Sequence, residues 1–149
     1  MGAPGQGGLV RGGGAGSVDD DGQWTMAPKD YASTRFSSLA EITTANVRGL
    51  QLAWTFSTGI NRGQEAAPLV VGSTMYVVTP FPNQLHALDL ARHGALKWSY
   101  EPPQLPAAAG VACCDVVNRG AAYADGRVFY ATLDNQVIAV DGGHLVSSL

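Results

Sequence analysis

The sequence predicts an all-β protein of repeated four-stranded units, the architecture of a β-propeller. Three observations carry that prediction. The first is a repeated hairpin: Pro68-Leu69-Val70-Val71-Gly72-Ser73-Thr74-Met75-Tyr76-Val77-Val78-Thr79 is echoed by Ala121-Ala122-Tyr123-Ala124-Asp125-Gly126-Arg127-Val128-Phe129-Tyr130-Ala131-Thr132, each reading strand, tight turn, strand. The second is that the echo continues, Asn83-Gln84-Leu85-His86-Ala87-Leu88-Asp89 aligning with Asn135-Gln136-Val137-Ile138-Ala139-Val140-Asp141 at an offset of 52 residues between Asp89 and Asp141. Four short strands at a period of ~40–50 residues mark a propeller blade, whereas a sandwich has short strands without such a repeat. The third is composition: 46% hydrophobic and 14% charged residues, a globular balance poorer in charge than the ~25% of ordinary soluble domains, as expected when many strands are buried.

Taken in order, positions 1–22 are Gly-rich and low in complexity, with Asp19, Asp20 and Asp21 near their end. This stretch is expected to be a disordered tail, or sequence foreign to the native gene product, and residues 23–149 to be the propeller portion. From Trp24 to Leu39 aromatics alternate with small polar residues and no 3.6-residue period is present, which predicts an irregular wrap. Thr43 and Thr44 offer a hydroxyl cap for a short helical turn stopped at Gly49. The run 50–56 follows as an expected strand, with Leu50, Leu52, Trp54 and Phe56 on one face. Glycines and Pro68 make 58–68 a loop. Gly72-Ser73 and Asp125-Gly126 supply the hairpin turns. A fourth strand, Leu96-Lys97-Trp98-Ser99-Tyr100, repeats Leu52-Ala53-Trp54-Thr55-Phe56 and completes the first unit, while the second unit lacks its fourth strand.

Charge and motif content exclude several functions. A net charge of −3 and a pI near 5.4 provide no basic surface for nucleic acid. No apolar run reaches the ~18 residues of a membrane span, and 1–22 has no apolar core of a secretory signal. His86, His93 and His144 are too dispersed for a metal site, the glycines at 12–16 lack the Lys and Ser/Thr of a phosphate loop, and no Gly-x-Ser-x-Gly elbow is present.

Both cysteines lie side by side in Gly110-Val111-Ala112-Cys113-Cys114-Asp115-Val116-Val117-Asn118-Arg119-Gly120. Adjacent Cα atoms sit about 3.8 Å apart, below the ~4.4 Å lower limit usual for a disulfide. An S–S bond here closes a tight, strained ring; the alternative is two buried thiols, a common state of free Cys. The pair lacks the two-residue gap of zinc and thioredoxin-type motifs.

These eleven residues match almost letter for letter the segment that carries the vicinal disulfide in the quinoprotein alcohol dehydrogenases, and the chain resembles that family over roughly residues 22–141. The resemblance implies a quinoprotein-type, eight-bladed propeller of which this chain holds the first one to two blades, an N-terminal fragment, and it implies pyrroloquinoline quinone (PQQ) as cofactor. Residue by residue, Cys113 and Cys114 match the disulfide that covers one face of the quinone. Glu65 matches a glutamate that hydrogen-bonds it, Val117 and Asn118 fall in the matching wall, and Arg119 matches the arginine that meets a quinone carboxylate. Read without the resemblance, Glu65 is a solvated loop carboxylate and Arg119 can pair with Asp115. Ala87-x-Asp89, Gly94 and Trp98 resemble the family's tryptophan-docking motif between blades; otherwise Trp98 is a core residue of its own sheet.

By the same resemblance the full-length parent oxidises primary alcohols to aldehydes, uses Ca²⁺ or a lanthanide, passes electrons to a cytochrome c and is periplasmic. The metal ligands and the catalytic base are expected beyond Leu149, so the fragment alone is expected to be inactive. A non-catalytic propeller scaffold, or a truncated product without function, is the alternative. A scaffold needs the blade motifs but not Glu65, the cysteine pair and Arg119 together.

Overall fold

The computed structural model describes residues 22–112 and 115–143. The expected tail at 1–21, the Cys113-Cys114 pair and the last six residues lie outside the described residues.

Seven strands form two antiparallel sheets. Strands β1 (Leu69–Val71), β2 (Thr74–Val78), β3 (Leu85–Asp89) and β4 (Ala95–Tyr100) pair in sequence order, and so do β5 (Ala121–Ala124), β6 (Arg127–Ala131) and β7 (Val137–Asp141). These are the strands that the repeat predicts. Both hairpin turns use left-handed backbone: Gly72 at φ +57°, and Asp125 and Gly126 at +47° and +77°, the sign pattern that matches the twist of paired strands. The repeat extends to polar contacts. Thr79 N–H donates to the Gln84 carbonyl at 2.8 Å, and Gln84 N–H donates to the Thr79 hydroxyl at 2.9 Å. Thr132 and Gln136 make the same reciprocal pair at 2.9 and 3.1 Å.

Register decides which side chains meet between the sheets. Tyr76 opposes Ala87, which opposes Trp98, and Tyr76 stacks on Tyr123 of the second sheet with centroids 6.0 Å apart. Leu69, Val78, Leu85 and Ala87 join Val128, Tyr130 and Val140 in one buried cluster. Burying each Leu or Val side chain of this cluster stabilises by about 1.5–3 kcal/mol. Trp98 packs on this cluster and lies 5.9 Å from the Tyr76 ring at 48°, so its described ring contact is with its own sheet.

The lead-in ties the sheets together. Trp24 exchanges two backbone hydrogen bonds with Val70 at 2.7 and 2.9 Å, and Tyr123 N–H donates to the Thr25 carbonyl at 2.6 Å. Beyond these bridges it is irregular, as expected. Two expectations are corrected. Residues 50–56 form no strand, because they find no backbone ladder partner among the described residues. They instead meet the first sheet through two aromatics, with Leu50 and Leu52 left exposed. Phe56 sets its edge against His86 at 5.2 Å, and the Trp54 indole lies over Gly94. The turn Val47–Gly49 is a 3₁₀ helix preceded by Asn46, not by a threonine hydroxyl cap; the Asn46 amide accepts from Thr43 N–H at 2.7 Å. A short helix, α1 (Ala108–Val111), was not foreseen.

His86 is 6% exposed and its Nδ1 lies 2.8 Å from the Ser99 hydroxyl. Burial holds its pKa below the usual 6.5. Its stabilising contribution is therefore complete above about pH 6.5, where the unfolded chain is also neutral. It is lost as pH falls toward the lower folded value, because the unfolded chain takes up the proton first. Urea melts are expected to show stability falling between pH 7 and 5, and a shallower fall in His86→Gln; equal slopes would contradict this.

Candidate functional site

Four connections meet at one end of the two sheets: the loop before β1, the β2–β3 turn, the long β4–β5 connection and the β6–β7 turn. Glu65 and Arg119 come from the first and third. A parallel bridge joins Ala67 to Gly120, which carries these two side chains into reach. Gly120 sits at φ +114°, and a Cβ there would stand 3.6 Å from Ala67 N, so this backbone favours glycine. Arg119 Nη1 lies 3.1 Å from Glu65 Oε2, with the two side chains 78% and 46% exposed. The partner of Arg119 is thus Glu65, and Asp115, exposed and left-handed at φ +67°, does not take that place. An ion pair this exposed contributes about 0–1 kcal/mol, so it is held by its backbone and does not itself hold the fold.

A cleft of about 240 Å³ opens beside it, with Val117, Asn118, Arg119 and Gly120 on one side and Ala131, Thr132 and Leu133 on the other. Asn118 is buried, and its amide spans the cleft floor. Its Nδ2 donates to the Ala131 carbonyl at 2.8 Å, and its Oδ1 accepts from Gly120 N–H at 2.9 Å. The opposite wall is pinned from the first sheet, where the Asn83 Oδ1 accepts from Leu133 N–H at 3.0 Å. Asp134 closes the turn. It accepts from the Thr132 hydroxyl at 2.5 Å, from Gln136 Nε2 at 2.7 Å and from Leu105 N–H at 3.2 Å. These donors, the Thr132 hydroxyl first, hold its carboxyl below the usual range. Gln136 also donates to the Pro103 carbonyl at 3.0 Å, fixing the start of the connection that leads to the cysteine pair.

The structure therefore brings Glu65, Val117 and Arg119 to one rim, while Cys113 and Cys114 lie outside the described residues. Asn83, Thr132, Asp134 and Gln136, which set the far wall, were not singled out as site residues. Thr132 and Gln136 did carry a signal, the echo of Thr79 and Gln84, since a repeated polar pair flanking a turn marks a side-chain lock.

Residues 24–145 match the family model described as the β-propeller domain of glucose, ethanol and alcohol dehydrogenases of the PQQ type. This chain belongs to that PQQ propeller family. Among curated relatives, the lanthanide-dependent methanol dehydrogenase of Methylacidiphilum fumariolicum (strain SolV) is 57% identical over 123 residues, which is 82% of this chain and 20% of that protein. Methanol dehydrogenase (cytochrome c) subunit 1 of Paracoccus denitrificans is 44% identical over 82% of this chain and 20% of its own length. Of solved structures, a europium-containing methanol dehydrogenase superposes with a TM-score of 0.78 at 56% identity, covering 81% of this chain and 21% of that one. The chain thus spans about a fifth of the length of these PQQ-family relatives. The two sheets described above are a four-stranded and a three-stranded part of the family's propeller. No helix among the described residues is long and apolar enough to cross a membrane.

Proposed function

We propose that these residues form one wall of the PQQ pocket in a quinoprotein dehydrogenase that oxidises a primary alcohol of the methanol type and passes electrons to a cytochrome c. The Glu65–Arg119 pair on the cleft rim is the observation that carries this reading, because it joins two family-matched residues from separate loops. The donor set suits a flat, carboxylate-bearing quinone. Arg offers five N–H donors in a rigid plane that meets a carboxylate through two parallel bonds, and Val117 and Leu133 give the cleft apolar flanks. Bound PQQ supplies the two-electron oxidation of the alcohol.

The residues of this chain bind and orient. Arg119 holds a carboxylate of the cofactor, and Glu65, which pairs with Arg119 at 3.1 Å, is the carboxylate placed to hydrogen-bond the quinone beside it. Cys113 and Cys114, joined as a vicinal disulfide, cover one face of the ring, which requires an oxidising compartment such as the periplasm. The Ca²⁺ or lanthanide is held by residues outside this chain; relatives named lanthanide-dependent and europium-containing support its presence. The 149 residues alone are not expected to turn over.

Titrating PQQ into the apo form of the intact dehydrogenase tests the assignment. Arg119→Ala is expected to weaken binding about 10- to 100-fold, the size of a lost charge-assisted hydrogen-bond pair. Arg119→Lys should recover only part of it, since an ammonium cannot bind bidentately. An unchanged Kd in Arg119→Ala would sink the proposal.

A further inference from the structure

Arg119 presents a puzzle of positioning. Its side chain is 78% exposed, on a loop whose described residues 115–119 join no strand ladder, and an exposed ion pair is too weak to fix so flexible a side chain. The neighbouring residue supplies what the ion pair cannot. Asn118 is 7% exposed. Its Oδ1 accepts from the backbone N–H two residues on, at Gly120, which makes residues 118–120 an Asx turn with Arg119 at its centre. Its Nδ2 donates to the Ala131 carbonyl at the end of β6. Gly120 in turn is bridged to Ala67, two residues from Glu65. The Arg119 backbone is thus tied on one side to the second sheet and on the other to the segment that carries its ionic partner.

We infer that Asn118 is a positioning residue for Arg119: its buried amide sets the direction in which the guanidinium leaves the loop, and so the readiness of Arg119 to meet a carboxylate of the cofactor. The inference rests on the PQQ reading above and adds a residue whose amide is spent on two backbone hydrogen bonds. A residue acting only through Arg119 leaves a particular signature. In a double-mutant cycle, its effect on cofactor affinity vanishes once Arg119 is gone, whereas a purely structural residue shows additive losses.

PQQ affinity of the apo form of the intact dehydrogenase is therefore measured for Asn118→Ala, Arg119→Ala and the pair, with thermal melting of each to score folding separately. Asn118→Ala is expected to raise the PQQ Kd about tenfold, as for one lost buried hydrogen bond, and to have no further effect in the Arg119→Ala background. If Asn118→Ala does not fold, Asn118→Ser, whose hydroxyl can still accept from Gly120 N–H, takes its place in the cycle. Additive losses with a normal Arg119→Ala effect would overturn the positioning role alone. Wild-type affinity in Arg119→Ala would overturn the underlying reading of the site and this inference with it.

Discussion

Gly94→Ala is expected to destabilise the protein by about 2–5 kcal/mol, combining left-handed backbone strain with overpacking against an indole. Gly94 has φ +71°, and a Cβ built there falls 2.4 Å from Cε3 of Trp54 and 2.5 Å from Cζ3. A rigid bicyclic ring cannot yield by rotating its tip, so the methyl displaces the whole side chain. Urea titration gives the stability change, and tryptophan emission should shift to the red as Trp54 loses its seat. In a Trp54→Ala background the penalty should shrink to the strain alone, about 1–2 kcal/mol. A Gly94→Ala protein as stable as the parent would show that Trp54 does not rest on this glycine.

Asn83→Ala should cost about 2–4 kcal/mol, from an unpaired buried donor and from left-handed strain that Asn tolerates and Ala does not. Asn83 is 1% exposed at φ +55°. Its amide donates to the Thr79 carbonyl at 3.3 Å and accepts from Leu133 N–H at 3.0 Å. Three variants separate the contributions. Asn83→Gly removes the strain but not the lost hydrogen bonds, and Asn83→Asp keeps an acceptor for Leu133, so the order of stability should be Asp, then Gly, then Ala. Denaturation midpoints check it, and Ala equal to Asp would refute the role of the Leu133 contact.

The strands of both sheets were legible because alternation and paired turn residues are local properties. Residues 50–56 show the limit of such reasoning. The pattern of Leu50, Leu52, Trp54 and Phe56 is that of a strand, but a strand exists only where another backbone completes its ladder, and none does so among the described residues. Helix α1 was missed although Pro106 followed by Ala107, Ala108 and Ala109 is a good opening for a helix. At the site, the resemblance picked out Glu65 and Arg119 as separate contacts to a quinone. That they pair with each other depends on the Ala67–Gly120 bridge, a long-range contact with no signal in either loop. Asn83 and Asp134 escaped for the same reason, since what matters about them is the distant backbone amide each one caps.

The short run 24–26, which joins Val70 of one sheet and Tyr123 of the other, also orders events in time. It is synthesised before either sheet, yet its second rung waits for a residue almost a hundred positions later. Contacts of such sequence separation close slowly, because chain entropy is lost before they form. The Thr25–Tyr123 rung is therefore expected to close last, after each hairpin has folded locally and after the shorter-range Ala67–Gly120 bridge has brought the loops bearing Glu65 and Arg119 into register.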